Sequence, residues 1–536
     1  MVATVSHEVL RFLPGETSRP PPRGSASGSR EERKDDMVKG REESDGRVQP
    51  EDRRKPVVTA AEQRGGKATT ASQRAGQLEL FRETADSPEG ADGGAGVDPS
   101  MPAPHAVPKS RNPTSNALPA MTMEEVASEE NLRRAFQQVA SNRGAPGPDR
   151  QSIDEVREHL FGVLPALHQR LLDGSYRPGE IRRVWIPKSG GQRGLGIPNV
   201  VDRIVQQAVH QVLSPHYEPT FHASSHGFRP GRSCHTAIAE AKQHLEDGYE
   251  WVVDLDLEKF FDRVHHQRLL ARLEQKVSDR RLLSLIHRML KAKVVMPDGV
   301  VVGTDEGVPQ GGPLSPLLSN IVLDELDREL EERGHRFVRY ADDCNVYVSS
   351  ERSGQRVMAS LVRFIERRLR LKVNAAKSAV SRPEKRHFVG FSLRREPLDG
   401  SVEVRLSERS KSRIDETIRE LTPRTWGQSL RDCIRRVNEY FLGWIGFFHV
   451  VSDSSTLSAL DAHTRRRLRA IALRHWSRKR RDGWKPLKPG RRSWWFLSNT
   501  SRVTRALSNA RFAERGLVSL QVEWLRYRLR PAPVQG

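Results

Sequence analysis

Cysteine is scarce in this 536-residue chain: only Cys234, Cys344 and Cys433 occur, far apart. Three scattered thiols build neither a disulfide framework nor a CxxC-type zinc site, and they point to a reducing compartment. Long apolar runs are also missing; no stretch approaches the ~20 residues needed to cross a bilayer. The N-terminal segment lacks the apolar core of a secretory signal and carries Glu8 and Glu16. The expectation is a soluble, cytoplasmic chain without a membrane partner. Acidic side chains are in deficit as well. Against 89 Lys and Arg stand 68 Asp and Glu, a formal net charge of +21. Such a balance points to a polyanionic partner, most simply nucleic acid.

The excess is not uniform. Acids and bases cancel over residues 1–120, so all of it lies in 121–536. Between 461 and 500, thirteen Lys or Arg face only Asp461 and Asp482, with Trp476, Trp484, Trp494, Trp495 and Phe496 interleaved. Cations track a phosphate backbone and aromatic rings stack on bases. A solvated helix face with a few core tryptophans does not account for that density. Residues 1–118 are rich in Gly, Pro, Ser and mixed charge, with few aromatics, and read as a disordered extension. Gln77–Phe81 is its one apolar island.

Structure is expected to begin near Thr122, where Thr-Met-Glu-Glu resembles a capping box opening a helix that runs to Ala140. Gly144-Ala-Pro-Gly-Pro-Asp149 breaks it. Ile181–Ile186 reads as a strand, Lys188-Ser-Gly-Gly-Gln-Arg193 as a basic turn, and Asp202–Tyr217 as a helix. Arg352–Leu371 reads as a basic amphipathic helix. From Leu406 the pattern is helical, with breaks near Pro423, near Asp453 and through 482–493.

Two acidic segments carry the chemistry. Phe337–Val348 reads as two short alternating strands joined at Asp342-Asp343. Asp is a favoured turn residue, so an ordinary surface hairpin would look the same. Trp251–Leu257 reads as a buried strand carrying Asp254 and Asp256 on one face. Acids are seldom buried without a partner or a metal. A strand aspartate beside a hairpin aspartate pair could hold two Mg²⁺ ions ~4 Å apart, the clamp used for in-line attack at phosphorus.

Eight blocks follow one another in fixed order: Asn142–Asp149, Arg193-Gly-Leu-Gly-Ile-Pro198 with Asp202-Arg203, Ser225–Ser233, Asp256–Asp262, Gly307–Pro316, Tyr340-Ala-Asp-Asp343, Asn374–Lys377 and Phe388-Val-Gly-Phe391. In that order they resemble the group II intron reverse transcriptases, or intron-encoded maturases, over most of residues 130–500. Gly194 departs from the family's usual Pro. The resemblance implies an α+β fold: a right-hand polymerase whose palm holds an antiparallel sheet, followed by an α-helical thumb or maturase domain. Fingers and palm would occupy 119–395, the thumb 400–482, and a basic nucleic-acid-binding segment 483–536. Asp256, Asp342 and Asp343 would be catalytic and hold two Mg²⁺. Asp254, two residues earlier, is the lesser candidate for the metal; its other reading is a hydrogen bond near the strand. Lys188, Arg193, Phe261, Gln310 and Lys377 would meet the nucleotide, Phe261 under its sugar. Arg465, Arg466, Arg467, Arg469, Arg474 and Lys479 would contact nucleic-acid backbone. No cysteine follows Cys433, so the zinc-bearing nuclease of many members is expected to be absent. The implied activity is RNA-directed DNA synthesis, with help to splicing and mobility of the host intron. The implied partners are intron RNA, an RNA template with DNA primer, dNTPs and target DNA. A non-catalytic RNA-binding splicing factor, or a domesticated bacterial reverse transcriptase serving phage defence, would share many of these blocks.

Overall fold

The computed structural model describes residues 120–188, 191–423, 429–479 and 507–529. The expected extension 1–118, the break through 482–493 and much of the segment 483–536 lie outside the described residues. Thr122 caps α1 (Met123–Ala127), its hydroxyl accepting from the Glu125 N–H. Ser128 then caps α2 (Glu129–Ser141) through the Asn131 N–H. One helix was expected here, and a second N-cap serine divides it. Leu132, Ala135, Phe136 and Val139 form the buried stripe of α2. A reciprocal Ser152–Glu155 capping box opens α3 (Ile153–Glu158), and α4 (Leu160–Leu172) follows.

β1 (Ile181–Lys188) and β2 (Gly191–Ile197) form an antiparallel ribbon. Pairing continues to Lys188↔Gly191, so Arg193 lies within β2, opposite Ile186, and not in the basic turn expected. α5 (Val200–Tyr217) runs through the core with most of its side chains buried. Next come α6 (Cys234–Glu246), β3 (Trp251–Leu255), α7 (His266–Glu274) and α8 (Arg280–Leu290). β4 (Val294–Val295) and β5 (Val301–Val302) extend the β1–β2 ribbon into a four-stranded sheet. α9 (Ser315–Glu332), β6 (Arg336–Tyr340), β7 (Asp343–Val348), α10 (Glu351–Phe364) and β8 (Ala379–Ser381) follow.

The order β6-β7-β3-β8, antiparallel at every pairing, is the sheet expected of the palm. Its two faces feed two cores, as period-two alternation requires. Val253, Leu255, Phe337, Cys344 and Val346 join the cluster holding α5, α9 and α10 residues. Val252, Val338 and Tyr347 join α6 and the C-terminal elements. β3 was expected to reach Leu257; it ends at Leu255, and Leu257 makes only an isolated bridge to Val373.

A hairpin of β9 (Phe391–Arg395) and β10 (Val402–Leu406) leads to α11 (Glu408–Leu421), α12 (Leu430–Phe448) and α13 (Ser455–Lys479). The breaks expected near Pro423 and Asp453 fall between these helices. Beyond them lie α14 (Asn509–Glu514) and α15 (Leu520–Leu529). Buried Asp461 on α13 accepts from the N–H groups of Leu520 (2.9 Å) and Gln521 (3.3 Å), capping the start of α15. None of the three cysteines is in a disulfide, and all three are buried. Among the described residues no helix is long and apolar enough to cross a membrane.

Candidate active site

Sheet register brings three aspartates to one edge. β3 pairs with β7 as far as Leu255↔Cys344, so the next residues, Asp256 and Asp343, stand at the same end of the ladder. β6 and β7 close at Tyr340↔Asp343, leaving Ala341-Asp342 as a two-residue connection. Ala341 takes φ +56°. Left-handed φ at this position matches the twist of the flanking strands, but a side chain makes it costly.

Asp256 is wrapped by the Asn374–Ser378 turn. Its N–H donates to Ser378 Oγ (3.0 Å), its carbonyl accepts from Asn374 N (2.8 Å), and its Oδ2 lies 3.3 Å from Lys377 Nζ. Asp254 has a different partner. Arg386 Nε donates to its Oδ2 at 2.7 Å, and an Arg386 Nη2 donates to the same oxygen and to the Lys377 carbonyl (2.7 Å). Burial pushes the Asp254 carboxyl above its usual range; the Arg386 guanidinium opposes this, and the nearby Asp256 charge adds to it. Asp254 therefore serves the turn that surrounds Asp256. Arg386 was missed in the sequence, where it is one more arginine in a basic chain.

Among the described residues, no group of three or more His, Cys, Asp or Glu side chains is gathered as a metal site. The trio expected to bind metal shares an edge without forming a finished ligand set, since Asp256 leans on Lys377. An oxygen-only donor set with Asp343 exposed suits a hard cation such as Mg²⁺.

Of the expected nucleotide contacts, two meet. Arg193 Nε donates to Gln310 Oε1 at 2.7 Å. The Gln310 loop also locks onto β2: Gly196 N donates to the Gln310 carbonyl (2.7 Å), and a Cβ on Gly311 would come within 2.5 Å of Gly196 O. Phe261 is buried, edge-on to Phe228 at 6.5 Å, and its carbonyl accepts from Val308 N (2.6 Å), two residues before Gln310. Lys377 sits on Asp256. The side chain of Lys188 lies outside the described residues, as does that of Lys479.

The basic helix α13 divides into two kinds of arginine. Arg467 donates to Thr422 Oγ1 (2.6 Å), the Thr422 carbonyl (2.8 Å) and the Arg419 carbonyl (3.2 Å), closing the C-terminus of α11. Arg469 donates to the Leu507 carbonyl (2.9 Å) and Asn509 Oδ1 (2.5 Å). Arg467 and Arg469, expected on nucleic-acid backbone, thus hold helices together. Arg466 and Arg474 are exposed and Arg465 is half-buried. Burial and the charges of Arg465 and Arg466 push the Arg469 pKa down.

Comparison with known proteins adds two domains. Residues 186–393 match the family described as "Reverse transcriptase (RNA-dependent DNA polymerase)". Residues 411–488 match "Group II intron, maturase-specific domain". Over 209 residues the chain is 43% identical to "Protein YkfC" of Escherichia coli (strain K12), covering 38% of this chain and 55% of that one. Over 208 residues it is 38% identical to "Group II intron-encoded protein LtrA" of Lactococcus lactis subsp. cremoris, covering 38% and 34%. Over 198 residues it is 28% identical to "Nuclear intron maturase 1, mitochondrial" of Arabidopsis thaliana, covering 27% of each. The matched stretch is thus about half of the first relative's length, 55%, and about a third of the second's, 34%.

Proposed function

We propose that this chain, which joins a reverse transcriptase domain to a group II intron maturase domain, is an RNA-directed DNA polymerase that also assists splicing of its host intron RNA. The observation that carries this reading is the register that brings Asp256 and the Ala341–Asp343 turn to one edge of an antiparallel sheet. Two Mg²⁺ ions held by Asp256, Asp342 and Asp343 would activate the primer 3′-hydroxyl and stabilise the leaving pyrophosphate.

The chain's own side chains do the rest. Arg193, steadied by Gln310, presents a guanidinium to the triphosphate, and Lys188 adds a second cation. Lys377 supplies positive charge beside Asp256, near the nucleotide or primer end. Phe261, fixed by Phe228 and the Val308 contact, packs under the incoming sugar and leaves no room for a 2′-hydroxyl. Arg465, Arg466 and Arg474 track the nucleic-acid backbone, while Arg467 and Arg469 keep their helix in place. We assign fingers and palm to residues up to about 395, the thumb to 400–482 and further basic contacts to 483–536. Intron RNA, an RNA template with DNA primer, dNTPs and target DNA are the partners, met in the cytoplasm.

The test is primer extension on an RNA template with dNTPs and Mg²⁺, beside Asp342→Asn. Extension that is lost in the variant, with RNA binding kept, supports the reading. A variant that extends like wild type removes the metal assignment. A wild-type protein that binds RNA tightly and never extends is the non-catalytic splicing factor.

A further inference from the structure

We propose that Arg339 is a positioning residue: from inside the fold, its guanidinium fixes the turn that carries Asp342 and Asp343. The consequence for catalysis rests on the polymerase reading above; the mechanical role does not.

Arg339 lies on β6 with 0% of its surface exposed, and its partner Asp327 on α9 is equally buried. All five guanidinium N–H donors have a place. Nε donates to Asp327 Oδ1 (2.7 Å), and Nη2 to Asp327 Oδ2 (2.5 Å) and Ser225 Oγ (2.7 Å). Nη1 donates to Asn320 Oδ1 (3.0 Å) and to the Ala341 carbonyl (2.9 Å). Fold stability alone does not call for such a group, since a buried ion pair is often replaced by apolar side chains of like volume without loss. An apolar pair, however, cannot donate to Ala341.

That donation falls where the backbone needs support. Ala341 is a non-glycine residue in the left-handed region, and such a conformation persists only when its surroundings over-determine it. A second restraint comes from Gly227, where a Cβ would come within 2.2 Å of Ala341 N, so the 224–227 loop closes directly against the turn. Arg339 holds this loop too: its N–H donates to the Ser224 carbonyl (2.9 Å), and its own carbonyl accepts from His226 N (2.9 Å). Asn320, already bonded to Arg339, donates to the Gly227 carbonyl (2.9 Å). Hairpin tip, loop and α9 are therefore one hydrogen-bonded unit with Arg339 at its centre. Asp342, half-buried, and Asp343, exposed, project from that unit. Carboxylates that meet a reacting phosphate must be held to a fraction of an ångström, and a ~1 Å misplacement costs about 100-fold in rate.

The test compares the full-length chain with Arg339→Met/Asp327→Leu, which keeps the volume and removes the donors. Thermal melting, hydrogen exchange of the 337–348 segment, and kcat and KM for dNTP are measured. The expected result is a folded protein that melts below wild type, because Ser225, Asn320 and the Ala341 carbonyl lose their donor, and whose hairpin-tip amides exchange at least tenfold faster than that global loss accounts for at remote core amides. Its kcat falls about 100-fold while the dNTP KM changes little. A folded variant with wild-type exchange and kcat overturns the proposal. If the double variant does not fold, Arg339→Lys replaces it, since one ammonium can keep Asp327 but cannot also reach Ala341; the same two readouts decide. If wild type itself never extends a primer, the polymerase reading falls, and exchange at the tip still decides whether Arg339 holds the turn.

Discussion

At the end of β3, Arg386 answers Asp254 and Lys377 answers Asp256; beneath the hairpin, Arg339 answers Asp327. Along α13 the pattern reverses: Arg465, Arg466 and Arg469 crowd one another, and the Arg469 pKa is pushed down by burial and by its two neighbours. The first region matches opposite charges atom by atom, so its product is position. The second gathers charge of one sign, so its product is a field. A reacting phosphate needs position, because rate falls steeply with misplacement. A long polyanion needs only a field, because counterion release rewards any cation near its backbone.

The strongest way to break this contrast is within β3 itself. Asp256→Asn is expected to reduce primer extension on the order of 1000-fold, several kcal/mol of lost metal-assisted stabilisation. Asp254→Asn, two residues away, is expected to keep extension within about tenfold of wild type. It costs about 1–3 kcal/mol of stability, because the half-buried Arg386 loses its charged acceptor. Chemical denaturation beside extension assays separates the two; equal loss of extension would erase the distinction between them. The helix offers a smaller effect. Arg466→Glu/Arg474→Glu should weaken RNA binding roughly tenfold at low salt and flatten the salt dependence, with the single-turnover rate unchanged. On the same helix Arg467→Ala should lower stability by about 1 kcal/mol and leave the salt slope alone, because its donors serve α11. Filter binding across a salt series checks both. The smallest effect is expected from deleting residues 1–115, whose composition lacks a core pattern: extension by the shortened chain should equal that of the full chain. A large loss would mean that the Gln77–Phe81 island docks on the polymerase.

Local signals were legible in the sequence and partners were not. The alternation on either side of Asp342-Asp343 identified the hairpin, because strand periodicity is a local property. The helix breaks near Pro423 and Asp453 were equally legible. Period two placed Asp254 and Asp256 on one face, but their different fates depend on where β3 ends and on Arg386, 132 residues downstream. Ser128 divided a helix whose apolar spacing reads as continuous. The basic run at 465–474 hid two arginines tied to helix ends, since a charge count cannot tell a solvated guanidinium from one that closes α11. Arg339 carried one unread signal: a charged residue within an apolar strand, beside Tyr-Ala-Asp-Asp. Burial of an arginine there demanded a full set of acceptors, and Ser225, Asn320 and Asp327 lie too far along the chain for spacing to reveal them.

Gly227 makes the carboxylate turn depend on a residue far from it in the chain. A side chain at that position would collide with the Ala341 amide at 2.2 Å. On the polymerase reading, Gly227→Ala, 114 residues before Ala341, is expected to displace the turn and lower primer extension with all three aspartates in place.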